Sequence, residues 1–207
     1  MTRPISLAPS ALLLAAVAAC SDASRIAAPR FAACAGPRCG SDQGQLIVDG
    51  PAGNLAVGGA YHQTLAQVVT PDSTGQVVQI SLPIGCDSSA LRIDVLDVNP
   101  DGTPVPPSAG ARFTRRVPAA AVNGPPEWRT LDLGRGFAVT AGSRFAFQVS
   151  AVETGRLCSL EQGPVGDPYA FGDGWFIALP NPVDVWLPIS LGSGRFDLPF
   201  ETFVRLR

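Results

Sequence analysis

Three sets of residues in this chain have types and spacing that could do chemistry. The segment Gly163 to Trp175, GPVGDPYAFGDGW, gathers Tyr169, Phe171, Asp173 and Trp175 in one glycine-rich stretch. Sugar rings offer C–H faces that stack on aromatics and hydroxyls that bond to carboxylates. Tyr169, Asp173 and Trp175 are therefore the candidate ligand-binding residues. The same rings could instead plug the end of a folded domain, since aromatics bury large apolar areas wherever they sit. Asp97-Val98-Asn99-Pro100-Asp101-Gly102 matches the opening D-x-N-x-D-G of a calcium loop, with Asp97, Asn99 and Asp101 as the oxygen ligands. Its final position is Ser108 where a bidentate Glu is expected, and an Asx-rich turn accounts for the same letters. The third set is the five cysteines.

Catalytic patterns are missing. His62 is the single histidine and stands beside Tyr61. The chain has no G-x-S-x-G elbow, no Cys–His pair, no H-E-x-x-H and no phosphate-cradling glycine loop. Asp and Glu total 17, but nothing fixes two of them at the separation a glycosidase needs. One His and a C-x4-C spacing give a poor metal site. The expectation is a protein without catalytic residues, cofactor or metal.

The cysteines sit in an exported context. Arg3 forms a short positive region and Ile5 to Ala19 an apolar one, too short for a membrane-spanning helix of about 20 apolar residues. The end of that run, Val17-Ala18-Ala19-Cys20, is similar to the bacterial lipobox, in which small residues precede a Cys that is acylated and becomes the mature N-terminus. The alternative is an ordinary signal peptide cut after an A-x-A site. The resemblance implies that residues 1–19 are a lipoprotein signal peptide, that Cys20 carries the lipid, and that the protein is held to the membrane of the bacterial envelope. Ser21 after the Cys is compatible with the outer membrane or the cell surface. Residues 20–44, rich in Ala, Gly, Pro and Ser, read as a flexible tether.

Removing Cys20 leaves an even number of cysteines in an oxidising compartment, so pairing is expected. Three connectivities are possible. The favoured one joins Cys34 to Cys39 across a short Gly-Pro loop, and Cys86 to Cys158.

These features must be positioned by strands. The 20 prolines among 207 residues argue against a helical protein. In Gln76 to Val98, QVVQISLPIGCDSSALRIDVLDV, Val78, Ile80, Leu82 and Ile84 share one parity, and Leu91, Ile93 and Val95 share another beyond Gly85–Ser89. Period-two alternation fits strands wet on one face, and two such runs across a short loop predict an antiparallel hairpin. Further strands are expected at Gln45–Asp49, Tyr61–Thr70, Trp128–Leu133, Arg144–Val152, Trp175–Leu179 and Phe196–Val204. Ala111–Val117 is expected at a sheet edge, where Arg115 and Arg116 guard the exposed ladder. In Arg144–Val152 the expected inward residues are Phe145, Phe147 and Val149, with Gln148 outward. The fold predicted for 45–207 is all-β, an antiparallel two-sheet β-sandwich of the jelly-roll kind.

The order of short motifs resembles bacterial extracellular jelly-roll modules of the galactose-binding-like type. The resemblance rests on Gln63-Thr64, Gly75 to Leu82, Leu91 to Val95, Gly102 to Pro107, Trp128, Thr140-Ala141-Gly142 before Phe145, Gly166 to Tyr169 with Trp175, and Asp197 to Val204. It implies a non-catalytic module that binds extracellular carbohydrate, or else a structural or adhesion lipoprotein contacting protein partners. Cys86 and Cys158 depart from the pattern. All 15 basic residues are Arg, they are scattered, and the net charge is −2, so nucleic acid is not an expected partner.

Overall fold

Pairing, rather than alternation alone, decides where each strand goes. A computed structural model describes residues 34, 38–50, 53–191 and 194–207. The export signal and Cys20 lie outside the described residues. The first sheet is built on β4 (Gly75–Cys86), whose 12 residues are long enough to receive three neighbours. On one edge it pairs with β14 (Phe200–Leu206) and then, over its last three residues, with β9 (Leu157–Glu161); on the other it pairs with β7 (Glu127–Val139). β1 (Cys39–Gln45) lies outside β14, and β2 (Asn54–Gly58) outside β9. The second sheet runs in the order β11 (Leu187–Pro188), β10 (Gly174–Ile177), β3 (Thr64–Val69), β8 (Phe145–Ala151), β5 (Leu91–Leu96), β6 (Phe113–Val117). β12 (Ser190–Leu191) and β13 (Gly194–Arg195) form a small separate ribbon. All strand pairs are antiparallel, and the chain changes sheet at most connections, the winding of a jelly roll.

The alternating residues form the layer between the sheets. Val77, Ile80, Leu82 and Ile84 of β4 meet Leu91, Ile93 and Val95 of β5, Phe145, Phe147 and Val149 of β8, and Phe200 of β14. Phe147 and Phe200 meet edge to face at 5.5 Å, and each fully buried large side chain contributes about 1.5–3 kcal/mol.

Four expectations are corrected. β4 and β5 do not form a hairpin: they lie in different sheets, and the 87–90 connection carries the chain across the core. Alternation fixes which face is buried, but an arch between sheets satisfies it as well as a hairpin within one. Val78 does not share the parity of Ile80. A register shift beside Val78 turns it to the outer face against Cys34 and Phe203, while Val77 takes the inner position. The tether does not extend to 44, because residues from Cys39 onward form β1, and the strand ends at Gln45 rather than beginning there. Gln148 points away from the core as expected, yet it is buried. A second apolar cluster of Ala66, Val68, Leu96, Ala146, Trp175, Ile177 and Trp186 covers the outer face of the second sheet. Trp186 Nε1 donates to Val105 O at 3.3 Å, holding the 97–111 connection over that face.

The edge assignment of β6 stands. Arg115 Nε donates to Asp132 O of β7 at 3.1 Å, bridging the two sheets, and Arg116 pairs with Glu153 at 2.8 Å. Both disulfides join the favoured partners, Cys34 with Cys39 and Cys86 with Cys158. Cys86 faces Cys158 directly across the β4–β9 pair, and both are buried.

The register gives the sandwich two distinct ends. Cys39 pairs with Arg205, and Gly75 with Leu206, so the chain enters β1 at the end where β14 finishes. Cys86, Leu157 and Gly58 lie together at the opposite end.

Candidate functional site

The glycine-rich 163–175 segment lies at the end where the chain enters β1, near Thr70. It does not present its residues as one surface. Tyr169 is buried in the central core, its ring edge-on to Phe200 at 5.1 Å. Its hydroxyl lies 3.1 Å from Gln43 Oε1 and accepts the Thr70 N–H at 3.2 Å. Burial pushes the phenol pKa up to about 12. Trp175 is buried in the other cluster, on the far side of the second sheet. Asp173 is part-exposed and pairs with Arg195 at 3.3 Å. Neither expected stacking ring is therefore free: alternation through β10 sends Trp175 outward under Trp186, while the approach to β10 drops Tyr169 between the sheets. Of the three aromatic rings in this loop only Phe171 stays exposed.

Beneath that loop Asp197 is buried. Its oxygens accept from Gln67 Nε2 at 3.0 Å and from the Tyr169 N–H at 3.1 Å. Gln67 Oε1 in turn accepts the Leu198 N–H at 2.8 Å. Burial pushes the Asp197 carboxyl up to about 6 despite these hydrogen bonds, and the neighbouring Asp167 and Asp173 carboxylates push the same way. The network ties β3 to the 197–198 segment and buries both Gln67 and Asp197.

The calcium candidate is a self-contained turn. Asp101 Oδ1 accepts the Thr103 N–H at 3.0 Å and its hydroxyl at 2.7 Å, which holds the carboxyl below its usual range. Asn99 Nδ2 donates to Thr103 Oγ1, and Asp97 pairs with Arg112 at 3.4 Å. Asp97, Asn99 and Asp101 thus each commit one side-chain polar atom to a bond within the protein. Among the described residues no group of three or more His, Cys, Asp or Glu side chains could hold a metal ion.

The opposite end is open. A cleft of about 200 Å³ lies between the connection from β2 to β3 and the turn after β8, lined by Gly59, His62, Gln63, Thr64, Glu153 and Thr154 among others. Two close contacts shape it. Gly58 has φ +85°, and a Cβ there would meet Ala151 Cβ and Arg156 O at 2.6 Å, so only glycine brings β2 this near the turn. His62 sits in the left-handed region at φ 48°, its N–H bonded to Gly59 O at 3.2 Å, a conformation that turns the Tyr61-His62 pair outward at the rim. Tyr61 is 66% exposed beside it, with its carbonyl accepting the Leu179 N–H at 2.8 Å. The floor is rigid: Glu153 accepts from Ser89 Oγ and the Ala90 N–H, both at 2.7 Å, and these bonds hold its carboxyl below the usual range. The cleft thus presents imidazole, amide, hydroxyl and carboxylate groups, and the exposed Tyr61 ring adjoins His62 in sequence. The sequence signal for it was the His62 and Tyr61 pair at a strand start, which carries no motif of its own.

No family model matches the sequence, and no curated protein is significantly similar to it. Among solved structures the chain is similar to that of the cysteine protease and lectin-like domains of Cwp84, a surface layer associated protein of Clostridium difficile. The likeness has 10% identity and a TM-score of 0.47, covering 70% of this chain and 32% of that one. The chain thus spans about a third of that structure's length, and at this TM-score the likeness carries no argument about function.

Proposed function

We propose that this protein is a non-catalytic, lipid-anchored envelope protein whose β-sandwich binds extracellular carbohydrate in the cleft beside Tyr61 and His62. The observation that carries the reading is the polarity of the domain. The chain enters at Cys39 beside Arg205, whereas the Tyr61 ring and the polar cleft lie at the other end. A lipid on Cys20 would place that cleft away from the membrane, where a glycan can reach it. Hydrogen-bonding side chains lining a small cleft, with the exposed Tyr61 ring one residue from that lining, suit a pyranose ring, which has an apolar face and a polar edge.

A broad glycan array probed with the intact protein, with and without calcium, tests this. Saturable binding that Tyr61→Ala removes while Trp175→Phe leaves it in place supports the site. Binding that survives Tyr61→Ala assigns it elsewhere. Metabolic palmitate labelling that is lost in Cys20→Ala tests the anchor. The protein-partner reading is favoured by one feature, the exposure of Leu157, Leu179, Val183 and Val185 as well as Tyr61. Failure to bind any glycan would favour it.

A further inference from the structure

A second cleft, of about 280 Å³, opens at the same end, lined by Gly85, Asp87, Asn123, Pro125, Pro126, Leu157 and others. Its character differs from the first. Pro125, Pro126 and Leu157 give it an apolar wall beside Asp87, Asn123 and Ser159, whereas His62, Gln63, Thr64 and Thr154 make the first more polar. The two are separated by little more than one side chain. Leu157 lines the second cleft and pairs in register with Gly58, which lines the first. Its Cδ1 lies 3.3 Å from the position a Cβ would take on Gly59. Leu157 is 42% exposed, so it forms a low ridge between the clefts. The next residue, Cys158, is tied to Cys86 and fixes the ridge in place.

Either cleft alone falls below the roughly 300 Å³ at which ligand pockets begin, and the two together clear it. We propose that they are two subsites of one groove crossing Leu157, and that its ligand is an oligosaccharide of at least two rings. One ring sits with its hydroxyls against His62, Gln63 and Thr154. The next lays an apolar face on Pro125, Pro126 and Leu157. This inference rests on the carbohydrate reading above and specifies its ligand as a chain, held along its length.

Calorimetric titration of the intact protein with mono-, di-, tri- and tetrasaccharides of β-1,4-linked glucose, of β-1,4-linked N-acetylglucosamine and of α-linked mannose provides the test, taking forward whichever series binds. The expected result is an affinity that rises at least tenfold from the monosaccharide to the di- or trisaccharide and then levels. Pro125→Trp, at an exposed position, fills the second cleft and brings the ratio of trisaccharide to monosaccharide affinity down to near one. Leu157→Ala lowers that ratio by removing the shared wall. Unfolding midpoints close to wild type show that both variants are folded. Equal affinity for every chain length, or a ratio untouched by Pro125→Trp, overturns the two-subsite groove while leaving a single-ring site at Tyr61 standing. No binding in any series, with no response to Tyr61→Ala, overturns the carbohydrate reading and the groove with it.

Discussion

Gln67 Nε2 and Asp197 Oδ1 are joined by a 3.0 Å hydrogen bond between residues 130 positions apart, with both side chains almost wholly buried. Strand β3 is thus tied to the connection that leads into β14 by an acid that is harder to ionise in the folded protein than in the unfolded chain.

The consequence is a pH dependence of unusual sign for a carboxyl. With its pKa near 6 against 3.8 unfolded, Asp197 makes the native state bind the extra proton, so its stabilising effect is complete below about pH 4. The effect is lost as pH rises through 6, at a cost of about 2–3 kcal/mol. Urea unfolding at pH 4.5 and 7.5 should show this decline, and Asp197→Asn should flatten it. Glu153 and Asp101, held low by hydrogen bonds, act in the opposite sense and at more acid pH. A wild-type profile that climbs from pH 4.5 to 7.5 contradicts the assignment.

Replacing Cys86 and Cys158 together by alanine opens a loop of 72 residues. The lost constraint on the unfolded chain corresponds to about 4 kcal/mol. A clearly lower urea midpoint is expected, and an unchanged midpoint would mean that the bond adds nothing to stability.

Gly85 lies where a Cβ would collide with the backbone carbonyls of Gly124 and Pro125. Gly85→Ala must push the 123–126 segment away, costing about 3 kcal/mol or more. The thermal midpoint should fall by several degrees or more. A wild-type midpoint would show that the segment yields freely.

Trp175 buries its ring, but its Nε1 has no hydrogen-bond partner among the described residues. Trp175→Phe gives up no bond and should cost about 1–2 kcal/mol in packing, whereas Trp175→Ala should cost about 3–5 kcal/mol. Glycan binding should persist in Trp175→Phe. Its loss there would return the site to the 163–175 loop.

Much of the sandwich is legible from period-two alternation, and the reason is physical: strands with one buried face advertise it. Phe145, Phe147 and Val149 go inward as read, and Arg115 and Arg116 mark an edge. Partnership is not legible, because β4 and β5 satisfy the same pattern whether they pair or face each other across the core. β1 is not legible because its buried positions, Gln43 and Gln45, are polar: Gln43 Oε1 meets the Tyr169 hydroxyl and Gln45 Oε1 accepts the Ile47 N–H. For the loop aromatics both readings are open in the sequence, because nothing local distinguishes a ring aimed at solvent from one that fills a gap; Tyr169 and Trp175 take the second.

The separation of the two ends also sets how the domain carries load. β4 alone spans roughly 40 Å, so a pull between Cys39 and a ligand beside Tyr61 runs along the strand axes. β1 meets β14 through ladder positions from Cys39 opposite Arg205 to Gln45 opposite Phe200. Tension of that direction shears those bonds together instead of peeling them singly, and extraction of the first strand requires all of them to fail at once. With the proposed anchor at one end and the proposed ligand at the other, the domain would resist a pull by its geometry as much as by its affinity.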